Sequence, residues 1–166
     1  MALCPPIRLV LLLVLILPMP GMVAGEETRQ DAARGPLDGM AFVGMIGPVE
    51  DPDVADILYF DEGQFWSKAC TRCGFMPSPY YARSVGDSIE FRGELESRDR
   101  GKFSYFGTVQ DGQITAIIRW RRDRWYWSID RDLRFEGTLS ETTSMTLEAA
   151  EETARGEPAD PDNCIS

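Results

Sequence analysis

The sequence predicts an all-β domain, an antiparallel up-and-down barrel of about eight strands, with a β-sandwich as the alternative architecture. Three observations carry this expectation. Between Leu37 and Leu139 the apolar residues recur with period two, the spacing of strands with one buried face. Compact turn signals separate these runs, the strongest being Asp111-Gly112, because such pairs adopt the left-handed backbone that a two-residue hairpin needs. An aromatic-x-Gly pair recurs in four of the runs: Phe42/Gly44, Phe91/Gly93, Tyr105/Gly107 and Phe135/Gly137. Alternation puts both members of each pair on one side of the sheet. Glycine weakens a strand unless close packing or a bend requires it. Strand bending with aromatics filling the space beside each glycine is one explanation, and an interior kept open for a ligand is the other.

Taken in order, Met40, Phe42, Gly44 and Ile46 alternate along a first strand, and Gly47–Asp53 reads as an acidic loop. Ile57–Phe60 and Gln64–Ala69 flank Asp61-Glu62-Gly63, a three-residue hairpin loop. Gly74–Pro79 is irregular, Tyr80–Val85 is extended, and Gly86-Asp87 turns the chain into Ser88–Glu96. Lys102–Gln110 and Gln113–Arg121 form the Asp111-Gly112 hairpin, with Val109 opposite Ile114. Arg122-Asp123 is the next expected turn, which pairs Trp120 with Trp125 and Ile118 with Trp127. Leu133–Leu139 is the last strand. The barrel domain therefore spans residues 37–140.

The flanks differ in character. Residues 1–25 read as a secretory signal: Arg8, the apolar run Leu9–Leu17, the breakers Pro18, Pro20 and Gly21, then small residues at Val23-Ala24-Gly25. The run is shorter than the roughly 20 residues of a membrane span, so no transmembrane segment is expected in the mature chain. The expected location is exported, periplasmic or extracellular. Residues 26–36 form a polar leader. Residues 141–166 form an acidic, largely disordered tail, with a short helix expected over Met145–Ala154, where Leu147, Ala150 and Ala154 fall at helical spacing.

Charge and composition narrow the function classes. The chain carries 17 Lys+Arg against 27 Asp+Glu, a net charge of −10, and no histidine. Such an acidic chain repels phosphate backbones, so nucleic acid is not an expected partner. Without histidine there is no Ser-His-Asp or Cys-His unit. Cys70-Thr71-Arg72-Cys73 has redox spacing, but Gly74, Pro77 and Pro79 preclude the following helix that lowers a thiol pKa in redox sites. Cys70, Cys73 and Cys164 are the disulfide or redox candidates. A structural bridge, either Cys70–Cys73 or one of them to Cys164, is the preferred reading. Three cysteines without histidine do not make a zinc site. Glu50, Asp51, Asp53 and Asp56 lack calcium-loop spacing and read as a solvated acidic loop. Neither a metal nor a cofactor is expected.

The segment Arg119–Trp127 interleaves arginines and aromatics. With a turn at Arg122-Asp123, Trp120, Trp125 and Trp127 share the inner face, while Arg119, Arg121, Arg124 and Tyr126 lie outside. The two residue kinds then form no joint surface.

The pattern Leu37-Asp38-Gly39, Phe60-x-x-Gly63-x-Phe65-x-Ser67-x-x-Cys70-x-x-x-Gly74-Phe75 and Gly86-Asp87-x-Ile89-x-Phe91, with Gly107-x-Val109-x-x-Gly112 and Trp120, resembles a group of small exported bacterial proteins. That group is similar to lipocalin-like (calycin) barrels, so the resemblance implies the barrel and supplies no activity, cofactor or site residue. Cys73 and the tail to Cys164 depart from the pattern. The expected function is an exported, non-enzymatic binding module that holds a small apolar ligand in the barrel, lined by Trp120, Trp125, Trp127, Phe91 and Tyr105. The first rival is a structural or interaction protein with a filled barrel. The second is an envelope thiol-redox protein that uses Cys70 and Cys73.

Overall fold

In the computed structural model, residues 35–156 are described. The expected signal segment, most of the expected polar leader, Cys4, Cys164 and the tail beyond residue 156 lie outside them. Eight strands close into one antiparallel barrel in which each strand pairs with its sequence neighbours and β8 returns to β1. They are β1 (Met40–Pro48), β2 (Val54–Asp61), β3 (Gln64–Ser67), β4 (Ser78–Val85), β5 (Ser88–Ser97), β6 (Gly101–Gln110), β7 (Gln113–Arg124) and β8 (Trp127–Leu139). Helix α1 (Lys68–Thr71) follows β3, and α2 (Leu147–Arg155) follows the barrel. The up-and-down barrel is the expected one, and the sandwich is not formed.

The turns set the register. Asp111 and Gly112 have φ of 51° and 73°, and Val109 lies opposite Ile114, as the Asp-Gly signal requires. The β2–β3 loop is tighter than expected. Asp61 pairs with Gln64 across only Glu62 and Gly63, both with positive φ, so it is a two-residue turn of the same kind. Near this end of the barrel the Asp38 carboxylate accepts from the backbone N–H of Gly63 (2.9 Å) and from the Tyr80 hydroxyl (2.8 Å). That hydroxyl in turn accepts from the Leu37 N–H. Tyr80 thereby ties the chain entering β1 to the start of β4.

Inside, alternation delivers Phe42, Phe60, Phe65, Phe91, Phe103, Tyr105 and Phe135, all buried. The rings of Phe42, Phe60, Phe65, Phe91 and Tyr105 meet edge-on or stacked at 5–6 Å, as in Phe60–Phe91 at 5.2 Å and Phe65–Tyr105 at 5.2 Å, a favoured geometry for aromatic quadrupoles. The recurrent glycines are seats for these rings. Gly93 faces the Phe65 ring, and a Cβ there would stand 2.8 Å from its Cζ. A Cβ at Gly107 would stand 2.7 Å from Phe91 Cζ and 2.9 Å from Ala116 Cβ. Gly44 and Gly137 are register partners on the β1–β8 seam, where a Gly44 Cβ would meet Gly137 Cα at 2.6 Å. The aromatic-x-Gly repeat is thus a device for close packing: a ring takes the place of the missing side chain at Gly93, Gly107 and Gly137, and the β8 backbone takes it at Gly44.

Outside, α2 covers β1–β3. Ala150 packs with Ala41, Tyr59 and Trp66, flanked by Met145 and Leu147. The Thr146 hydroxyl caps this helix by accepting from the Ala149 N–H. The helix was expected over Met145–Ala154 and begins two residues later. The β3–β4 seam has only two residue pairs, Gln64 with Pro79 and Phe65 with Ser78. The intervening chain folds into the barrel end, burying Cys70, Cys73 and Phe75.

Candidate functional site

The five residues expected to line an internal pocket do not come together. Phe91 and Tyr105 are core residues, 4% and 0% exposed, packed against other rings. Trp120 is half-buried at the barrel mouth, stacked on Phe103 at 5.5 Å, with its indole N–H donated to the Arg100 carbonyl. Trp125 and Trp127 are outside, 93% and 37% exposed. The cause is the turn. Strand β7 continues through Arg122-Asp123, and the hairpin closes three residues later at Trp125-Tyr126, with Arg124 opposite Trp127 and Trp120 opposite Arg131. The recess left beside Trp120, lined also by Gly47, Asp53, Arg131 and Leu133, is about 130 Å³, below the roughly 300 Å³ lower bound of small-molecule sites.

The second candidate, Cys70/Cys73, is also corrected. Cys70 is a free, fully buried thiol, so no local bridge joins it to Cys73. Cys73 is buried and is not free. Burial, with Asp56 nearby, pushes the Cys70 thiol up to about 12, the reverse of what a redox or nucleophilic cysteine needs. Around it lies a hydrogen-bonded cluster that alternation alone could not reveal. Asp56, expected in a solvated loop, points into the barrel and is 3% exposed. Its carboxylate accepts from Ser67 Oγ (2.6 Å) and from the N–H groups of Ile57 (2.7 Å) and Ala69 (2.9 Å). Ser67 Oγ accepts from the Cys70 N–H, and Cys70 Sγ lies 3.5 Å from the Tyr105 hydroxyl. Ser67 and Asp56 together occupy the N–H groups that the start of α1 leaves open. Desolvation raises the Asp56 pKa above its usual value, and burial raises that of Tyr105 as well. The cluster holds the plug formed by α1 in the barrel end.

A concavity of ligand size lies on the outside. The outward residues of β4–β7 form transverse rows, because register partners in successive strands share a face. One row runs Tyr81, Arg92, Phe106 and Ile117, and the next runs Arg83, Glu90, Thr108 and Thr115. They bound an open groove of about 700 Å³, within the range of small-molecule sites. Tyr81, Phe106 and Ile117 are 60%, 56% and 41% exposed. Arg92 lies 4.9 Å from the Tyr81 ring centroid. Arg83 is paired with Glu90 at 2.7 Å, whereas Arg92 has no carboxylate partner among the described residues. A signal for this row was present in the sequence: the Asp111-Gly112 turn that puts Tyr105 and Ile118 inside also puts Phe106 and Ile117 outside, as apolar residues at polar positions. Among the described residues no group of three His, Cys, Asp or Glu side chains could hold a metal. In comparisons with known proteins, the chain matches no family model, no curated protein and no solved structure.

Proposed function

We propose that the protein is an exported, non-catalytic binding module that works from the outside of a filled barrel, taking a small amphiphile in the groove over β4–β7. The observation that supports this is the row Tyr81–Arg92–Phe106–Ile117. Three exposed apolar side chains offer a bed for an apolar body, and a guanidinium among them, with no carboxylate partner among the described residues, matches an anionic end. An arginine so placed gives orientation through charge-assisted hydrogen bonds, while the apolar row supplies most of the affinity through area removed from water. Anilinonaphthalene sulfonate has both features and serves as the probe, with dodecanoate as competitor. Saturable binding to the native protein is expected, weakened roughly tenfold by Phe106→Ala and by Arg92→Gln, each equivalent to about 1.4 kcal/mol. Equal binding by both variants, with their folding checked by circular dichroism, would refute the groove as the site.

A further inference from the structure

The β7–β8 hairpin continues past the barrel. The last β6–β7 pair is Lys102 with Arg121, and the last β8–β1 pair is Leu133 with Pro48. Beyond them β7 and β8 pair only with each other, through Arg122–Ile129, Asp123–Ser128 and Arg124–Trp127. This two-stranded arm ends in Trp125 and Tyr126, 93% and 67% exposed, with Trp127 beside them. The rings contact one another edge-on, at 4.8 Å for Trp125–Tyr126 and 6.2 Å for Tyr126–Trp127.

The two faces of the arm differ in charge. Alternation sets Arg119, Arg121, Asp123, Asp130 and Asp132 on the face continuous with the barrel exterior, where Arg119 pairs with Asp130 and Arg121 with Asp123. The face continuous with the interior carries Arg122, Arg124, Trp127, Ile129 and Arg131, and no acid. Arg122 lies over the Trp127 ring at 5.4 Å. Arg124 donates to the Asp99 carbonyl, which brings the loop bearing Arg98 and Arg100 alongside. Segments 98–100 and 119–132 hold seven arginines against four aspartates in a chain of net charge −10. Asp53 lines the mouth recess together with Arg131 of this face, and Asp99 is the residue whose carbonyl takes the Arg124 bond.

We propose that this arm docks the protein on an anionic membrane surface, inserting Trp125 and Tyr126 at the headgroup level with Arg122, Arg124 and Arg131 against the lipid phosphates. Tryptophan and tyrosine favour that interface because each has an apolar ring and a polar edge, and each nearby arginine adds attraction to an anionic leaflet. A protein partner fits less well. Three rings bury about 150–250 Å² each, short of the roughly 800 Å² per side of a stable protein interface. The barrel itself lies on the surface and does not span it. Its outer wall carries the ion pairs Arg83–Glu90, Lys102–Glu94 and Arg134–Glu136 where a spanning barrel needs an apolar band.

The proposal is independent of the groove and has its own test. The full mature chain is floated with vesicles of phosphatidylcholine alone and of phosphatidylcholine with phosphatidylglycerol, at low and high salt. Binding to the anionic vesicles only, weakened by salt, with a blue shift of tryptophan emission, is expected. The double variant Trp125→Ala/Tyr126→Ala should lose roughly tenfold or more in affinity. Arg124→Gln should lose about fivefold. Both changes lie at an exposed tip, and circular dichroism checks that the fold persists. Undiminished binding by the double variant, no binding of the native chain at low salt, or equal binding to neutral vesicles would each overturn the proposal. The same holds if an acidic protein, and no vesicle, binds the arm.

Discussion

Gly107→Ala tests whether the barrel is filled. The new methyl would stand 2.7 Å from Phe91 Cζ and 2.9 Å from Ala116 Cβ, against ordinary carbon contacts of about 3.5–4.0 Å. Either the ring retreats by about 1 Å or the strand moves. The ring has little room, because it meets Phe60 edge-on at 5.2 Å and is itself 4% exposed. Overpacking of this kind costs about 1–3 kcal/mol, and the rigidity of the aromatic neighbour places the expectation at about 2–3 kcal/mol. The measurement is equilibrium urea unfolding followed by tryptophan emission, read as a lower midpoint at unchanged slope. Phe91→Leu alone should cost about 1–2 kcal/mol, as volume is lost from a packed site. The double variant Gly107→Ala/Phe91→Leu should fall short of the summed cost by about 1 kcal/mol or more, because the smaller side chain makes room for the methyl. A hollow barrel predicts otherwise: the methyl would enter free space, Gly107→Ala would cost less than about 0.5 kcal/mol, and no coupling to Phe91 would be seen. That result would refute the account of the aromatic-x-Gly pairs given above.

Two further predictions concern the buried cluster. Asp56→Ala leaves the Ala69 N–H without its acceptor in the barrel end and should destabilise the protein by about 1–3 kcal/mol. The sign of the pH effect follows from the raised folded pKa of Asp56, caused first by desolvation. Its stabilising contribution is complete below the unfolded value of 3.8 and is lost as pH rises through the folded value. Asp56→Asn, a non-titrating stand-in for the protonated acid, should therefore come closest to the native protein in acid and gain stability relative to it as pH rises towards neutrality, and parallel stability curves would contradict this. The thiol of Cys70 should resist iodoacetamide at about pH 8 in the folded protein, because its pKa near 12 leaves almost no thiolate. Unfolding should then make the Cys70 thiol react readily, because its pKa returns towards the ordinary thiol range. Rapid native labelling of Cys70, or no gain in its reactivity on unfolding, would count against its buried placement.

What the sequence determined is local. Period-two alternation and the Asp111-Gly112 pair were enough for an antiparallel succession of strands and the Val109–Ile114 register, because both act between residues close in the chain; the choice of barrel over sandwich rests on the β1–β8 closure. Alternation also placed Phe91 and Tyr105 inside. Contacts between distant strands were settled only by the closed sheet. Whether Gly93 and Gly107 lie beside a void or a ring depends on Phe65, two strands away from Gly93, and on Phe91, on the strand beside Gly107. Asp56 looked like loop because its acceptors' donors, Ser67 and Ala69, come from β3 and the start of α1. The position of the β7–β8 turn was the most consequential difference. Neither Arg122-Asp123 nor Trp125-Tyr126 contains the glycine that fixes such a turn locally. Ladder hydrogen bonds continued outward past the last neighbouring strand, moving the turn by three residues. That shift exposed Trp125 and brought Arg122, Arg124 and Trp127 onto one face, a joint basic and aromatic surface that no reading of alternation along a single strand could supply.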